Sequence, residues 1–188
     1  ISVAFPGPSD FENGVIGDLW NLPAYRGGIA LAPLLEKKFG IPVFINNDGD
    51  LFAYGEYIAG SFNLLNKRLK EKGSNKIYKN LIALTLGTGL GLGVVNRGHL
   101  LRGDNSMPSE VWLMRSFQMP ETGIEESVSK RGVVRSYCNY SGFNEEISPK
   151  EIYEIALNGE GEKQKAALKA WRDFGLNLGD TLATLISL

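Results

Sequence analysis

The sequence predicts an α/β fold, because short apolar runs of strand character alternate with stripes of helical period along its 188 residues. One such run, 42–46, ends in the polar turn Asn46-Asn47-Asp48 and passes into a helical stripe. Strand, polar turn, then helix is the order in which α/β folds present functional side chains. Another run, 81–86, ends in Gly87-Thr88-Gly89-Leu90-Gly91-Leu92-Gly93.

Taken in order, 1–5 reads as a strand broken by Pro6-Gly7-Pro8, since proline cannot continue a ladder. Residues 11–21 read as a loop with an Asn13-Gly14 turn and a short hairpin near Val15 and Ile16. Leu31, Leu34, Leu35 and Phe39 form a helical stripe closed by Gly40. Residues 50–59 form the helix after the polar turn, with Asp48 or Asp50 placed to cap it. Residues 63–80, rich in Lys, Asn, Arg, Glu and Gly, read as a solvated excursion or helical hairpin. After the glycine run, 94–101 continues as strand and hairpin, and 102–121 is irregular. Helices are expected over 125–140, 149–157 and 162–188.

Composition excludes several classes. With 43% hydrophobic residues the chain can bury a core. Its net charge of -1 provides no basic field for nucleic acid and no polybasic membrane patch. No apolar run approaches the roughly 20 residues of a membrane helix. The single cysteine, Cys138, leaves no internal disulfide and fits a reducing, cytoplasmic setting. The first residues already read as a strand and the last stop inside an apolar helical pattern, so a longer chain is expected on both sides.

Each candidate motif has a plainer alternative. Gly87, Gly89, Gly91 and Gly93 let a phosphate approach main-chain N–H groups, and Thr88 adds a hydroxyl; they equally suit a tight hairpin. No Gly-Lys-Ser/Thr follows, so this is not a P-loop, and the chain continues as strand where a dinucleotide motif opens a helix. Asp48 at a strand end could take a proton from a substrate hydroxyl, with Asn47 bonding neighbouring hydroxyls, or it could simply cap the helix. Glu110 and Glu125 could each bridge sugar hydroxyls or be solvated charges, as expected of Glu121 and Glu126. Trp20, Trp112 and Trp171 could stack on sugar faces, Trp171 being expected in the core. His99 lacks Cys or Asp partners at metal spacing.

The order of these motifs carries more than any one of them. Pro6-Gly7-Pro8, Gly14, Asn21-Leu22, Gly40-Ile41-Pro42-Val43, Asn47-Asp48, Gly55-Glu56, Leu84-Thr85-Leu86-Gly87-Thr88-Gly89, Gly98, Gly103, Glu110, and Glu125 with Ser129 together resemble the ROK family over nearly the whole chain. The resemblance implies an actin-like ATPase (ribonuclease H-like) two-lobed sugar-kinase fold, here truncated at both ends. It implies that residues 1–60 belong to the amino-terminal lobe and 81–188 to the carboxy-terminal lobe, with 61–80 a charged insertion between them. The implied activity is ATP-dependent phosphorylation of a hexose or N-acetylhexosamine, with Mg²⁺ arriving on ATP. The alternative is a non-catalytic, sugar-binding ROK regulator, which would touch nucleic acid only through an upstream helix-turn-helix. A homodimer is the expected assembly.

By the same resemblance Asp48 is the catalytic base, and Gly7, Asn47, Glu110 and Glu125 bind sugar. Gly87, Thr88 and Gly89 form the second phosphate loop of the ATP site. Two departures stand out. The family's Gly-Glu-Ile-Gly-His is Ser109-Glu110-Val111-Trp112-Leu113 here, and 115–128 contains no cysteine. No zinc is therefore expected, and Trp112, Phe117 and Ile124 are expected to hold the Glu125 loop by packing. The family's Asp-Gly-Gly-Thr phosphate loop and late glycine-rich adenosine motif are not in this chain.

Overall fold

The computed structural model describes residues 1–19, 22–144 and 146–186. Trp20 and Asn21, read above as a sugar-stacking candidate and a motif residue, lie outside them, as does the end of the last predicted helix at Leu188. The chain forms two compact units. The first comprises Ile1–Thr85 and Gly91–Glu110, and the second Leu86–Leu90 with the chain from Val111 onward.

In the first unit, β1 (Ser2–Phe5) pairs in parallel with β2 (Phe44–Asn47), placing Phe5 opposite Asn47. Parallel neighbours need a crossover. Here it runs through the Asp10–Val15 bridge and its Gly14 turn to α1 (Leu31–Phe39). Gly40, left-handed at φ 69°, ends that helix with its N–H on the Glu36 carbonyl, as the sequence predicts. Phe5, Phe11, Ile16, Leu19, Ala32, Val43 and Ile45 make the core between strands and helix.

α2 (Asp48–Ile58) follows β2 with no intervening loop, and α3 (Ser61–Glu71) follows in turn. The charged 61–80 segment is therefore one helix and an irregular stretch, not a helical hairpin. Tyr57 stacks on Phe62 at 4.6 Å, and the Asn66 side chain bonds the Tyr78 main chain in both directions. β3 (Asn80–Leu86), β4 (Leu90–Asn96) and β5 (His99–Leu100) form a sheet in that order. The compact units do not divide at 60 and 80, because β4 packs on α2. Gly49 admits the Leu92 carbonyl, and Gly93 lies against Ala53 and the Gly49 carbonyl where a Cβ would collide. Gly93 therefore serves the packing of β4 on α2, and at Gly91 a Cβ would meet the Thr85 hydroxyl of β3.

In the second unit, α4 (Lys130–Ser141), α5 (Pro149–Asn158) and α6 (Gly161–Ile186) pack around Val133, Tyr137, Ile152, Ala156, Ala166, Ala167 and Ala170. Small residues on α6 let the helices approach closely. α5 starts at a capping box of Ser148 and Glu151. The helix expected over 125–140 is split: Ile124–Glu126 is a 3-10 turn, and α4 begins only after Ser129, whose hydroxyl accepts the Gly132 N–H. Trp171 is half-buried against this core. Among the described residues no helix is long and apolar enough to cross a membrane.

Candidate active site

The first unit gathers Gly7, Asn47, Asp48 and Glu110. Asn47 closes β2 and is itself the N-cap of α2, its Oδ1 accepting the N–H groups of Gly49 (2.8 Å) and Asp50 (3.1 Å). The cap expected of Asp48 or Asp50 thus falls to Asn47, because it is the last residue with extended backbone. This spends Asn47 Oδ1 and leaves its Nδ2 as the donor beside Gly7. Asp48, the first helical residue, is exposed, and its Oδ1 accepts the Gly49 N–H at 2.9 Å. A carboxylate exposed there, with the cap already supplied, is free to serve a ligand. Gly7 explains itself: a Cβ would overlap Glu110 Oε1 and come within 3.4 Å of Asn47 Nδ2.

Behind this face lies Asp50, 1% exposed, its Oδ1 accepting the Ser109 hydroxyl at 2.5 Å. Its Oδ2, like the buried Ser106 hydroxyl, has no formed hydrogen bond. Burial pushes the Asp50 carboxyl above its ordinary range; the Ser109 hydroxyl and the Arg102 charge pull the other way. Asp50 thereby joins the start of α2 to the residue preceding Glu110. Sequence reasoning took it only for a cap, although a third polar side chain after Asn47 and Asp48 has no cap left to make.

The second unit gathers Gly87, Thr88, Gly89 and Glu125. The turn closes on itself through the Gly87 N–H to the Gly89 carbonyl (3.0 Å). It is tied to the start of α4 by the Lys130 N–H to the Gly87 carbonyl (2.9 Å). Gly87 has open space where a Cβ would stand, and Thr88 is exposed, so both fit a phosphate-bearing ligand. At Gly89 a Cβ would strike Glu125 Oε2, which accepts the Leu90 N–H at 2.9 Å. Glu125 Oε1 accepts from Arg131 Nη2 at 2.6 Å. Glu126 is not the solvated charge expected. Arg131 and Arg135 both grip it, and first of all the Arg131 bond holds its carboxyl below the usual range.

The packing expected to hold the Glu125 loop is met in part. Ile124 is buried and Trp112 half-buried, but Phe117 is 58% exposed. Main-chain and hydroxyl bonds also carry the loop: Ile124 N–H to Met114 O (2.6 Å), Ser116 N–H to Thr122 O (3.0 Å), and Ser116 against Ser127 (3.0 Å). Gly123 allows the close pass of the Trp112 carbonyl. Leu113 is exposed, and so is His99 at its hairpin.

These carboxylates and the glycine turn lie on the actin-like ATPase fold of sugar kinases. The chain matches the glucokinase of Parabacteroides distasonis with a TM-score of 0.90 and 53% identity, covering 99% of this chain and 52% of that one. It matches the ROK hexokinase of Thermus thermophilus with a TM-score of 0.68 and 25% identity, covering 97% and 56%. The chain belongs to the ROK family, whose profile matches residues 1–188. Among curated relatives, the Thermotoga maritima glucokinase is 33% identical over 111 residues, 59% of this chain and 31% of that protein. The xylose repressor of Bacillus subtilis is 27% identical over 162 residues, covering 85% and 38%. The chain spans about half the length of these relatives or less.

Proposed function

We propose that the full-length protein is an ATP-dependent sugar kinase acting on a hydroxyl of a hexose or N-acetylhexosamine. The observation that carries this reading is Asp48: an exposed carboxylate at the start of α2, relieved of capping by Asn47. In this reading Asp48 takes the proton of the attacking hydroxyl, a role that needs hydrogen-bond reach more than any covalent chemistry. Asn47 Nδ2 and the Glu110 carboxylate hold neighbouring hydroxyls, and Gly7 keeps its side of the site open to both. Glu125 binds a further hydroxyl with the lone pairs that Leu90 and Arg131 leave. Gly87, Thr88 and Gly89 would hold the phosphates of ATP, which with Mg²⁺ supplies the phosphoryl group and offsets its charge.

The similarity to xylose repressors supports a second reading, a sugar-binding regulator without transfer. An ATP-coupled phosphorylation screen of the full-length protein against glucose, mannose, xylose and the N-acetylated hexosamines separates the two. The kinase reading predicts turnover with at least one hexose. Sugar binding without phosphate transfer to any of them would favour the regulator.

A further inference from the structure

Arg131 stands in the first turn of α4, where the helix dipole favours acidic side chains. Its guanidinium makes three bonds in three directions. Nε donates to Glu126 Oε1 at 2.8 Å, Nη2 to Glu125 Oε1 at 2.6 Å, and Nη1 to the Thr88 carbonyl at 3.2 Å. Glu125 Oε2 in turn accepts the Leu90 N–H at 2.9 Å. The result is a closed circuit: Thr88 carbonyl, Arg131, Glu125 and Leu90 N–H, gripping the glycine turn from both of its flanks. Arg135 holds Glu126 from behind through its carboxylate and its main-chain carbonyl, which fixes the end of the fork. Only arginine has N–H donors in a planar fork that can serve all three acceptors at once.

Resting on the kinase reading, we propose that Arg131 is a positioning residue that couples sugar binding at Glu125 to nucleotide binding at the Gly87–Gly89 turn. A sugar hydroxyl donating to a remaining lone pair of Glu125 shares the carboxylate charge with Arg131 and Leu90 and weakens both of those bonds. The guanidinium then leans more on Thr88, and the Leu90 N–H is less strongly held, so the turn responds to sugar before nucleotide arrives. Thermodynamic linkage requires the effect to be reciprocal, with the nucleotide changing sugar affinity by the same factor. Couplings of this kind run from about 5- to 150-fold.

The test uses the full-length protein, glucose and N-acetylglucosamine as sugar probes, and a non-hydrolysable ATP analogue with Mg²⁺. Titration calorimetry measures the affinity of each ligand alone and in the presence of the other. Wild type is expected to show an equal factor of about five or more in both directions. Arg131→Lys and Arg131→Met are expected to bring that factor near one, with smaller changes in each separate affinity. Lysine keeps the charge but cannot bridge three acceptors. A general loss of stability would weaken both ligands without removing their coupling. In wild type alone, glucose is expected to change amide exchange in peptides covering residues 86–90. Binding of both ligands with no coupling in wild type, coupling retained in both variants, or unchanged exchange at 86–90 would overturn the role of Arg131 alone. Failure of wild type to bind either ligand would overturn the kinase reading and this inference with it.

Discussion

Replacing Gly7 with alanine tests the proposed sugar-binding role of Gly7, Asn47 and Glu110 through one methyl. The new Cβ would overlap Glu110 Oε1, stand 3.1 Å from its Cδ and 3.4 Å from Asn47 Nδ2. Of these neighbours the carboxylate is the one that can move, being the far end of a flexible side chain, so folding is expected to survive. What changes is where Glu110 points. If Glu110 accepts from a sugar hydroxyl, losing that charge-assisted bond costs roughly 1.5–3 kcal/mol. That corresponds to about a 10- to 150-fold fall in kcat/KM for the sugar. The assay is steady-state kinetics of full-length Gly7→Ala with glucose and N-acetylglucosamine, nucleotide KM measured alongside, and a thermal melt. Sugar kcat/KM falls while nucleotide KM and Tm hold. Unchanged sugar kinetics in a folded variant would refute the grouping of Gly7 and Glu110 at the sugar.

Three further outcomes follow from the same structure. Asp50 has a raised pKa in the fold, so the stability it contributes is full below its unfolded pKa and is lost as pH rises through the folded value. Asp50→Asn keeps an acceptor for Ser109 and removes the buried charge. Its stability should exceed wild type at pH 8 by on the order of 1 kcal/mol for the relieved buried charge, read as a higher Tm, with the gain shrinking toward pH 4; a pH-independent difference would contradict this. Leu113→His is expected to change the ranking of sugars by kcat/KM more than it changes nucleotide affinity, since a polar wall discriminates hydroxyls and an apolar one does so weakly. A shift in nucleotide KM alone would remove Leu113 from the sugar site. Elemental analysis of protein never exposed to chelator is expected to find zinc well below one per chain, because main-chain and serine bonds tie the loop that carries Glu125; stoichiometric zinc would contradict that account.

Local signals explain which parts of this fold were legible. The stripe at Leu31, Leu34, Leu35 and Phe39 with its closing Gly40 predicts α1 because period and stop agree. The order of motifs carries the fold class and the family. The cap is ambiguous in the sequence because Asn47, Asp48 and Asp50 are all good caps, and only the backbone angles decide which residue stands outside the helix. Gly93 fits a phosphate loop by pattern but answers to Ala53 and Gly49, contacts made across sequence separations that a local pattern does not encode. The role of Arg131 is not legible locally for the same reason: Thr88 lies 43 residues away. Its one local sign was a basic side chain in a helix's first turn, where charge preference runs the other way.

The kinase reading makes Asp48 a base acting on a bound sugar, and Asp48→Asn removes that base alone. Asparagine keeps the shape and the Gly49 bond but cannot take a proton at neutral pH. The measurement is ATP-coupled turnover of the full-length variant with the best sugar of the screen, beside calorimetric binding of that sugar. A missing general base lowers rates by roughly 10²–10⁴-fold. The account predicts a loss of that size in kcat with sugar binding retained at reduced strength; turnover near the wild-type rate would contradict it.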